Sequence, residues 1–90
     1  MKKFDINHTY DAKPDKGIRK HWFFNAEEIN EDGSVRFKLI DKGCTDFAIA
    51  RIIIDGDVET ARIKIRGIGM TLRADECHPK GRPFDRTKYN

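Results

Sequence analysis

The segment from Val58 to Arg66 constrains the fold of this chain more than any other. Apolar and basic side chains alternate along it, with Ala61, Ile63 and Ile65 set against Arg62, Lys64 and Arg66. A period of two is typical of a β-strand that buries one face and exposes the other to solvent. The exposed face of this predicted strand is a row of cations that contains no acidic residue.

The apolar composition favours a core built from strands. Ninety residues suffice for one domain with one modest core. They include 11 Ile and 6 Phe against only 2 Leu, and β-branched and aromatic side chains fit a pleated sheet better than a helix. We therefore expect a single, mainly β domain, with an α+β arrangement as the alternative.

Turn-forming residues divide the chain into an antiparallel meander of four to five strands. The clearest predicted strands are Ile18–Phe24, Val35–Ile40, Asp46–Ile54 and Val58–Arg66. Residues 70–77 continue as a strand or form a short helix, and both alternatives stay open.

Short helical turns and terminal arms complete the predicted domain. Asn25 and Glu28 have the spacing of a capping box, which predicts one helical turn over Ala26–Ile29. Residues 1–17 show no sustained period and are expected to form an irregular arm or an edge strand. Residues 78–90 contain two prolines and are expected to form an extended basic arm.

The sequence Ile54-Asp55-Gly56-Asp57-Val58 predicts a tight hairpin. Pairing Ile54 with Val58 sets Phe47 and Ile49 opposite isoleucines on one face, and Ala48 and Ala50 opposite Lys64 and Arg62 on the other. A slip of one residue would set Ile49 opposite Arg62 and mix the two faces. We therefore predict the first register, in which the alanines leave a flat cationic floor, followed by a bend or bulge at Gly67-Ile68-Gly69.

The distribution of charge predicts a nucleic-acid-binding surface. Of 18 basic and 15 acidic residues, twelve basic and eight acidic ones lie in residues 35–90. Arrays of Lys and Arg hold phosphate backbones through charge pairing and counterion release. The predicted contacts are Arg36, Lys38, Arg62, Lys64 and Arg66 on the sheet, and Lys80, Arg82, Arg86 and Lys88 in the C-terminal arm. The competing interpretation is that exposed cations keep the sheet soluble and block edge pairing.

One short segment of the C-terminal arm, Pro79-Lys80-Gly81-Arg82-Pro83, resembles the core of an AT-hook. That motif lies extended in the narrow minor groove of A·T-rich DNA, where glycine allows close approach and cations meet a strong negative potential. The resemblance implies that Lys80 and Arg82 insert into the groove. Lys80 stands where the motif has arginine, and Phe84-Asp85 follow where it has further basic residues. The alternative is a proline-bounded turn in a solvated arm.

The sequence offers little support for an enzyme or a metal site. The only serine, Ser34, lies in a predicted turn without the context of a hydrolase nucleophile. Gly67-Ile68-Gly69 is not part of a nucleotide-binding pattern. The candidate metal ligands, none paired at zinc-site spacing, are His8, His21, Cys44, Cys77 and His78. We therefore predict no catalytic residue, no cofactor and no metal.

A protein partner is the alternative to nucleic acid. A small basic sheet could bind an acidic protein surface as an adaptor or inhibitor of the kind that phages and other mobile elements encode. It could also pair strand edges into a homodimer. An exposed apolar patch, for example around Trp22 and Phe24, would favour a protein partner.

The expected location is the cytoplasm. The first residues lack the apolar run of a signal peptide, and no window has the apolar length that spans a bilayer, so no membrane partner is expected. Cys44 and Cys77 are far apart without a CxxC pair, which favours reduced thiols.

Overall fold

The computed structural model describes residues 1–16, 22–40 and 46–77, and these residues form seven β-strands and no helix. The strands are β1 (Thr9–Pro14), β2 (Trp22–Ile29), β3 (Val35–Leu39), β4 (Phe47–Ala50), β5 (Ile52–Asp55), β6 (Val58–Ile65) and β7 (Ile68–Cys77). They make one antiparallel sheet in the order β4-β3-β2-β1-β7-β6-β5. The prediction of a mainly β antiparallel fold is confirmed, whereas the expected four to five strands and the helical turns are wrong.

The sheet curls into a nearly closed barrel. β1 and β7, the first and last strands, pair with each other, and every other pair joins strands that are neighbours in the chain. A single residue, Arg51, separates β4 from β5. Because β4 pairs with β3 and β5 pairs with β6, residues 47–55 act as one kinked strand that joins the two ends of the sheet. β4 also lies against β6, which brings those ends together.

Inward-pointing side chains from the strands form one core. β3 shows the predicted alternation, with Val35, Phe37 and Leu39 buried and the residues between them partly exposed. In β6, residues 61, 63 and 65 are buried while 62 and 64 are exposed. The half-buried strands predicted from these two segments are therefore confirmed.

Phe4 fills part of the barrel interior, although no periodic pattern marks it in the sequence. Its ring is 2% exposed and packs edge to face against Tyr10, at 4.8 Å, and Phe37, at 5.0 Å. The Lys2 amide donates to the Asp57 carbonyl at 2.7 Å, and the Phe4 amide donates to the Glu59 carboxylate at 2.8 Å. These bonds tie the N-terminal segment to the start of β6 and hold the ring in place.

Three segments whose local sequence left the structure open or predicted a helical turn are strands of the sheet. Residues 9–14, within the segment expected to be irregular or an edge strand, form β1 between β2 and β7, because Tyr10 and Ala12 bury their side chains in the core. Residues 26–29 lie in β2 rather than in a helical turn. The Asn25 amide donates to the Glu27 carboxylate at 2.6 Å, and Ala26 is buried in the sheet. Residues 70–77 take the strand alternative and belong to β7.

The β5–β6 hairpin forms where the sequence predicted it, but in a different register. Asp55, not Ile54, pairs with Val58, and Gly56, with φ +63°, is the first residue of the two-residue turn. β4 departs from this hairpin and pairs with β3, which turns Ala50 into the core and leaves Phe47 and Ile49 48% and 60% exposed. The predicted floor of alanines beside Arg62 and Lys64 is therefore wrong.

A second tight hairpin replaces the bend expected at Gly67-Ile68-Gly69. Arg66 and Gly67 both have positive φ, 52° and 76°, between the paired residues Ile65 and Ile68. Two left-handed residues in a two-residue loop are typical of a type I′ turn. Gly67 thus belongs to the turn, while residues 68 and 69 start β7.

Candidate nucleic-acid interface

Arg62, the first cation of the predicted row on β6, is bound to a carboxylate. Its two terminal nitrogens lie 2.5 and 2.6 Å from the two carboxylate oxygens of Asp15, and the first also donates to the Thr71 hydroxyl at 2.6 Å. The Arg62 guanidinium lowers the pKa of Asp15 below its usual value, and Asp15 raises that of Arg62. This bidentate geometry is the strong form of the Arg–carboxylate pair.

Gly69 makes room for that carboxylate. A Cβ atom at position 69 would lie 2.7 Å from Oδ2 of Asp15, and the Asp15 amide donates to the Gly69 carbonyl at 3.0 Å. Asp15, the residue after β1, is thus held against β7, where its carboxylate contacts Arg62 on β6.

Arg66 is also paired. Its Nε lies 2.8 Å from Oδ2 of Asp46, and its guanidinium carbon lies 5.8 Å from the centroid of the Trp22 ring. Since Arg66 is in the β6–β7 turn and Asp46 precedes β4, this ion pair links that turn to the start of β4. Two of the three cations predicted as the main phosphate contacts therefore already hold carboxylates.

Three other predicted cations have no acidic partner among residues 1–16, 22–40 and 46–77: Arg36, Lys38 and Lys64. Arg36 stacks on an aromatic ring instead, with its guanidinium carbon 4.0 Å from the centroid of Phe47. Its Nε is buried and has no hydrogen-bond partner in the part of the chain that the structure describes. Lys38 is partly exposed and Lys64 is exposed.

These cations surround the two exposed apolar side chains of β4. Arg36 pairs across the β3–β4 ladder with Ile49, and Lys38 pairs with Phe47. On the other side of β4 lies β6, which carries the exposed Lys64. We call the surface made by Phe47, Ile49, Arg36, Lys38 and Lys64 the Phe47 face.

Some cations elsewhere on the described surface, Arg73 and Lys13, are bound to carboxylates, whereas Arg51, Lys2, Lys3 and Lys16 make no ion pair with any residue of the described ranges. Arg73 pairs with Asp75 at 3.1 Å and Asp55 at 3.2 Å, and Lys13 pairs with Glu76 at 2.7 Å. Arg73 lowers the pKa of Asp75, and Glu76 raises the pKa of Lys13. What distinguishes the Phe47 face is that its cations without an ion pair lie beside an exposed aromatic ring.

The structure does not bring all of the predicted site residues together. Arg36 and Lys38 lie opposite β4 on β3, and Lys64 lies on β6, the strand on the other side of β4. Arg62, on β6, and Arg66, in the following turn, are bound to Asp15 and Asp46. Lys80, Arg82, Arg86 and Lys88, together with the AT-hook-like segment, lie outside the described residues. The sequence missed Phe47 and Ile49, because the predicted register turned both into the core. Phe24, named as part of a patch whose exposure would favour a protein partner, is fully buried.

No protein-family model, no curated protein and no solved structure matches this chain. Within the described ranges, no helix has the length and apolar character needed to cross a membrane. The function of the Phe47 face is accordingly inferred from its geometry.

Proposed function

We propose that this protein binds single-stranded nucleic acid through the Phe47 face. The observation that carries the proposal is the stack of Arg36 on the half-exposed ring of Phe47, with Lys38 opposite that ring on β3. Lys64 lies on the neighbouring strand β6, and neither lysine has an acidic partner among the described residues. Single-strand binders combine cations that follow the phosphate backbone with rings on which bases stack. Guanidinium planes serve as stacking surfaces in the same way.

The ion pairs explain why the proposal centres on β4 rather than on the whole cationic row of β6. A phosphate that binds Arg62 must compete with a bidentate carboxylate already in place, whereas no carboxylate of the described residues holds Lys64. Arg62 and Arg66 are therefore secondary contacts in this proposal. Lys80, Arg82, Arg86 and Lys88 remain the predicted clamp of the C-terminal arm.

Fluorescence anisotropy with labelled oligothymidine and oligouridine, against a duplex of the same length, tests the proposal. Phe47→Ala should weaken single-strand binding by about 1–3 kcal/mol, roughly five- to 150-fold, and leave the salt dependence unchanged, since it removes only stacking. Equal affinity for single strand and duplex, together with an unaffected Phe47→Ala variant, would contradict it.

Lys64→Gln and Arg62→Gln form a matched pair of variants. Both remove one positive charge from the same face of β6, two residues apart, but only Arg62 is held by a carboxylate. Each phosphate contact contributes about 0.7 to the slope of log affinity against log salt for single strands. Lys64→Gln should reduce the magnitude of that slope by about this amount, and Arg62→Gln should change it little. Equal effects would indicate a general response to net charge.

A protein partner with an acidic surface is the second candidate function. Ile49 favours it, because an aliphatic side chain that is 60% exposed beside cations suits an apolar contact with a charged rim. Absence of oligonucleotide binding even at low salt would leave this candidate, as an adaptor or inhibitor, in place of the first.

A further inference from the structure

The wall of the barrel is irregular where β1 begins and β7 ends. Tyr10 pairs with Cys77 and Ala12 pairs with Leu72, so the step from 10 to 12 on β1 matches the longer step from 72 to 77 on β7. The extra residues of β7 form a bulge, which leaves part of the ladder unpaired. Bulges are common at the rims of barrels and next to active sites, where they redirect side chains and end pairing.

A cavity of about 450 Å³ opens beside this bulge. It lies between the two strands and the N-terminal segment, and its lining includes Tyr10, Ala74, Cys77, Lys2, Lys3 and Asp5. Tyr10 and Ala74 are 1% and 4% exposed, so they form the floor of the cavity. Small-molecule sites have volumes of roughly 300–1,000 Å³ and occur in the mouths of β-barrels, and this cavity meets both conditions.

The N-terminal wall of the cavity is fixed to the barrel. The Lys2 amide donates to the Asp57 carbonyl at 2.7 Å, and the Lys2 carbonyl accepts a hydrogen bond from the Glu59 amide at 2.9 Å. Phe4, two residues further along, is buried in the core. Because these contacts order the wall in advance, a ligand does not have to bear the entropy cost of ordering it.

The charged groups of the lining favour an anion. Lys2 and Lys3 make no ion pair with any residue of the described ranges, and Asp5 is the one carboxylate among the described lining residues. Burial raises the pKa of the Cys77 thiol, Asp5 raises it further and Lys2 lowers it. The charge of Lys2 therefore acts inside the cavity, close to Cys77.

The Tyr10 hydroxyl supplies a buried hydrogen-bond donor. Its oxygen accepts a hydrogen bond from the Asp5 amide at 2.7 Å, and its own proton has no acceptor among residues 1–16, 22–40 and 46–77. Burial raises the pKa of this hydroxyl to about 12, so it keeps the proton at neutral pH. A buried donor without an acceptor is unfavourable, and an oxyanion in the cavity would satisfy it.

We propose that this cavity binds a small organic anion. The carboxylate or phosphate of the ligand accepts a hydrogen bond from the Tyr10 hydroxyl and pairs with Lys2, while its apolar part packs on the floor at Ala74. The bulge of β7 provides the space, and the fixed N-terminal segment provides the charge. The cavity shares no residue with the Phe47 face, so this proposal is independent of nucleic-acid binding.

Titration of the isotope-labelled protein with phenyl phosphate, followed by its amide chemical shifts, tests the proposal. The amides of Tyr10, Ala74 and Cys77 should shift together with a dissociation constant of roughly 0.1–10 mM, as expected for a ligand of this size. Inorganic phosphate makes no apolar contact and should bind at least about fivefold more weakly. Absence of shifts at the three amides, or equal affinity for the two probes, would overturn the proposal.

Three variants separate the cavity from a general attraction of anions. Lys2→Gln should weaken the binding of phenyl phosphate about five- to tenfold. Lys16→Gln is the matched control, because Lys16 is also exposed and without an ion pair in the described ranges but lies outside the cavity lining, and it should leave binding unchanged.

Ala74→Leu fills the floor without removing a charge and should weaken binding at least about tenfold. Circular dichroism establishes that each variant is folded, and the lysine pair tests the site even if the leucine variant unfolds. Equal effects of Lys2→Gln and Lys16→Gln, or a folded Ala74→Leu variant that binds like the wild type, would refute the assignment of the ligand to this cavity.

Discussion

Replacing Phe4 with alanine tests the barrel at a position that lies in the predicted irregular arm. The ring is 2% exposed and meets Tyr10 and Phe37 edge to face at 4.8 and 5.0 Å. Removing a buried Phe costs about 3–5 kcal/mol. Burying about 150 Å² of ring surface at about 25 cal/mol/Å² gives about 4 kcal/mol, which agrees.

This loss is large compared with the stability of such a domain. At roughly 0.05–0.15 kcal/mol per residue, a chain of this length has about 5–13 kcal/mol in total. Since 1 kcal/mol shifts the Tm of a domain of this size by about 4–8 °C, Phe4→Ala should lower the Tm by at least about 12 °C. Thermal unfolding followed by circular dichroism or by the fluorescence of Trp22 measures it.

Ile6→Ala is the matched control, because Ile6 lies two residues away in the same segment and is 46% exposed. It should lower the Tm by no more than about 4 °C, as expected for a surface substitution. Phe4→Leu retains most of the apolar volume and should cost about half as much as Phe4→Ala, so the effect stays measurable if the alanine variant unfolds. Equal and small shifts for Phe4→Ala and Ile6→Ala would refute the packing of the N-terminal segment into the barrel.

Three further outcomes follow from the turns and the titratable groups. Gly67→Ala should lower the free energy of unfolding by about 1–2 kcal/mol in urea titrations, because φ is +76° there and no neighbour crowds the added methyl group; an unchanged midpoint would contradict the type I′ turn. Because Arg62 lowers the pKa of Asp15 below 3.8, the stabilising contribution of Asp15 should be present above that pH and be lost as the pH falls through the folded-state pKa. The Tm difference between the wild type and Asp15→Asn should therefore shrink in strong acid, and a difference independent of pH would argue against the ion pair. Burial raises the pKa of Tyr10 from 10.0 to about 12, so the stability linked to it should be complete below pH 10 and lost between pH 10 and about 12. Phenolate absorbance should then show one of the two tyrosines ionising late, together with unfolding, whereas two ordinary titrations would contradict the burial.

The strands that the sequence predicted correctly are those marked by a pattern of neighbouring residues. β3 and β6 alternate buried and exposed residues with a period of two, and that pattern reflects only the pleat of one strand against one core. The hairpin at Gly56 is equally local, since a glycine with φ +63° between two β-rich segments needs no distant partner. These features made the mainly β fold predictable.

The candidate site was predictable only in part, because it depends on register. Arg36, Lys38 and Lys64 were recognised as exposed cations from their places on alternating strands. Phe47 was assigned to the core, since the predicted pairing of 46–54 with 58–66 ignored the kink at Arg51. A change of one residue in register reverses every side chain of a strand, and so the ring that carries the proposed site moved from the interior to the surface.

The amino-acid order alone thus determined strand character, tight turns and the presence of a basic surface, because each depends on residues a few positions apart. Tertiary structure alone decided the closure of the barrel, the burial of Phe4 and which cations remain available. Asp15 and Arg62 lie 47 residues apart in the chain and meet because Asp15 follows β1 and packs against β7, beside β6. Contacts of that range arise from the pairing of whole strands, and no local pattern encodes them.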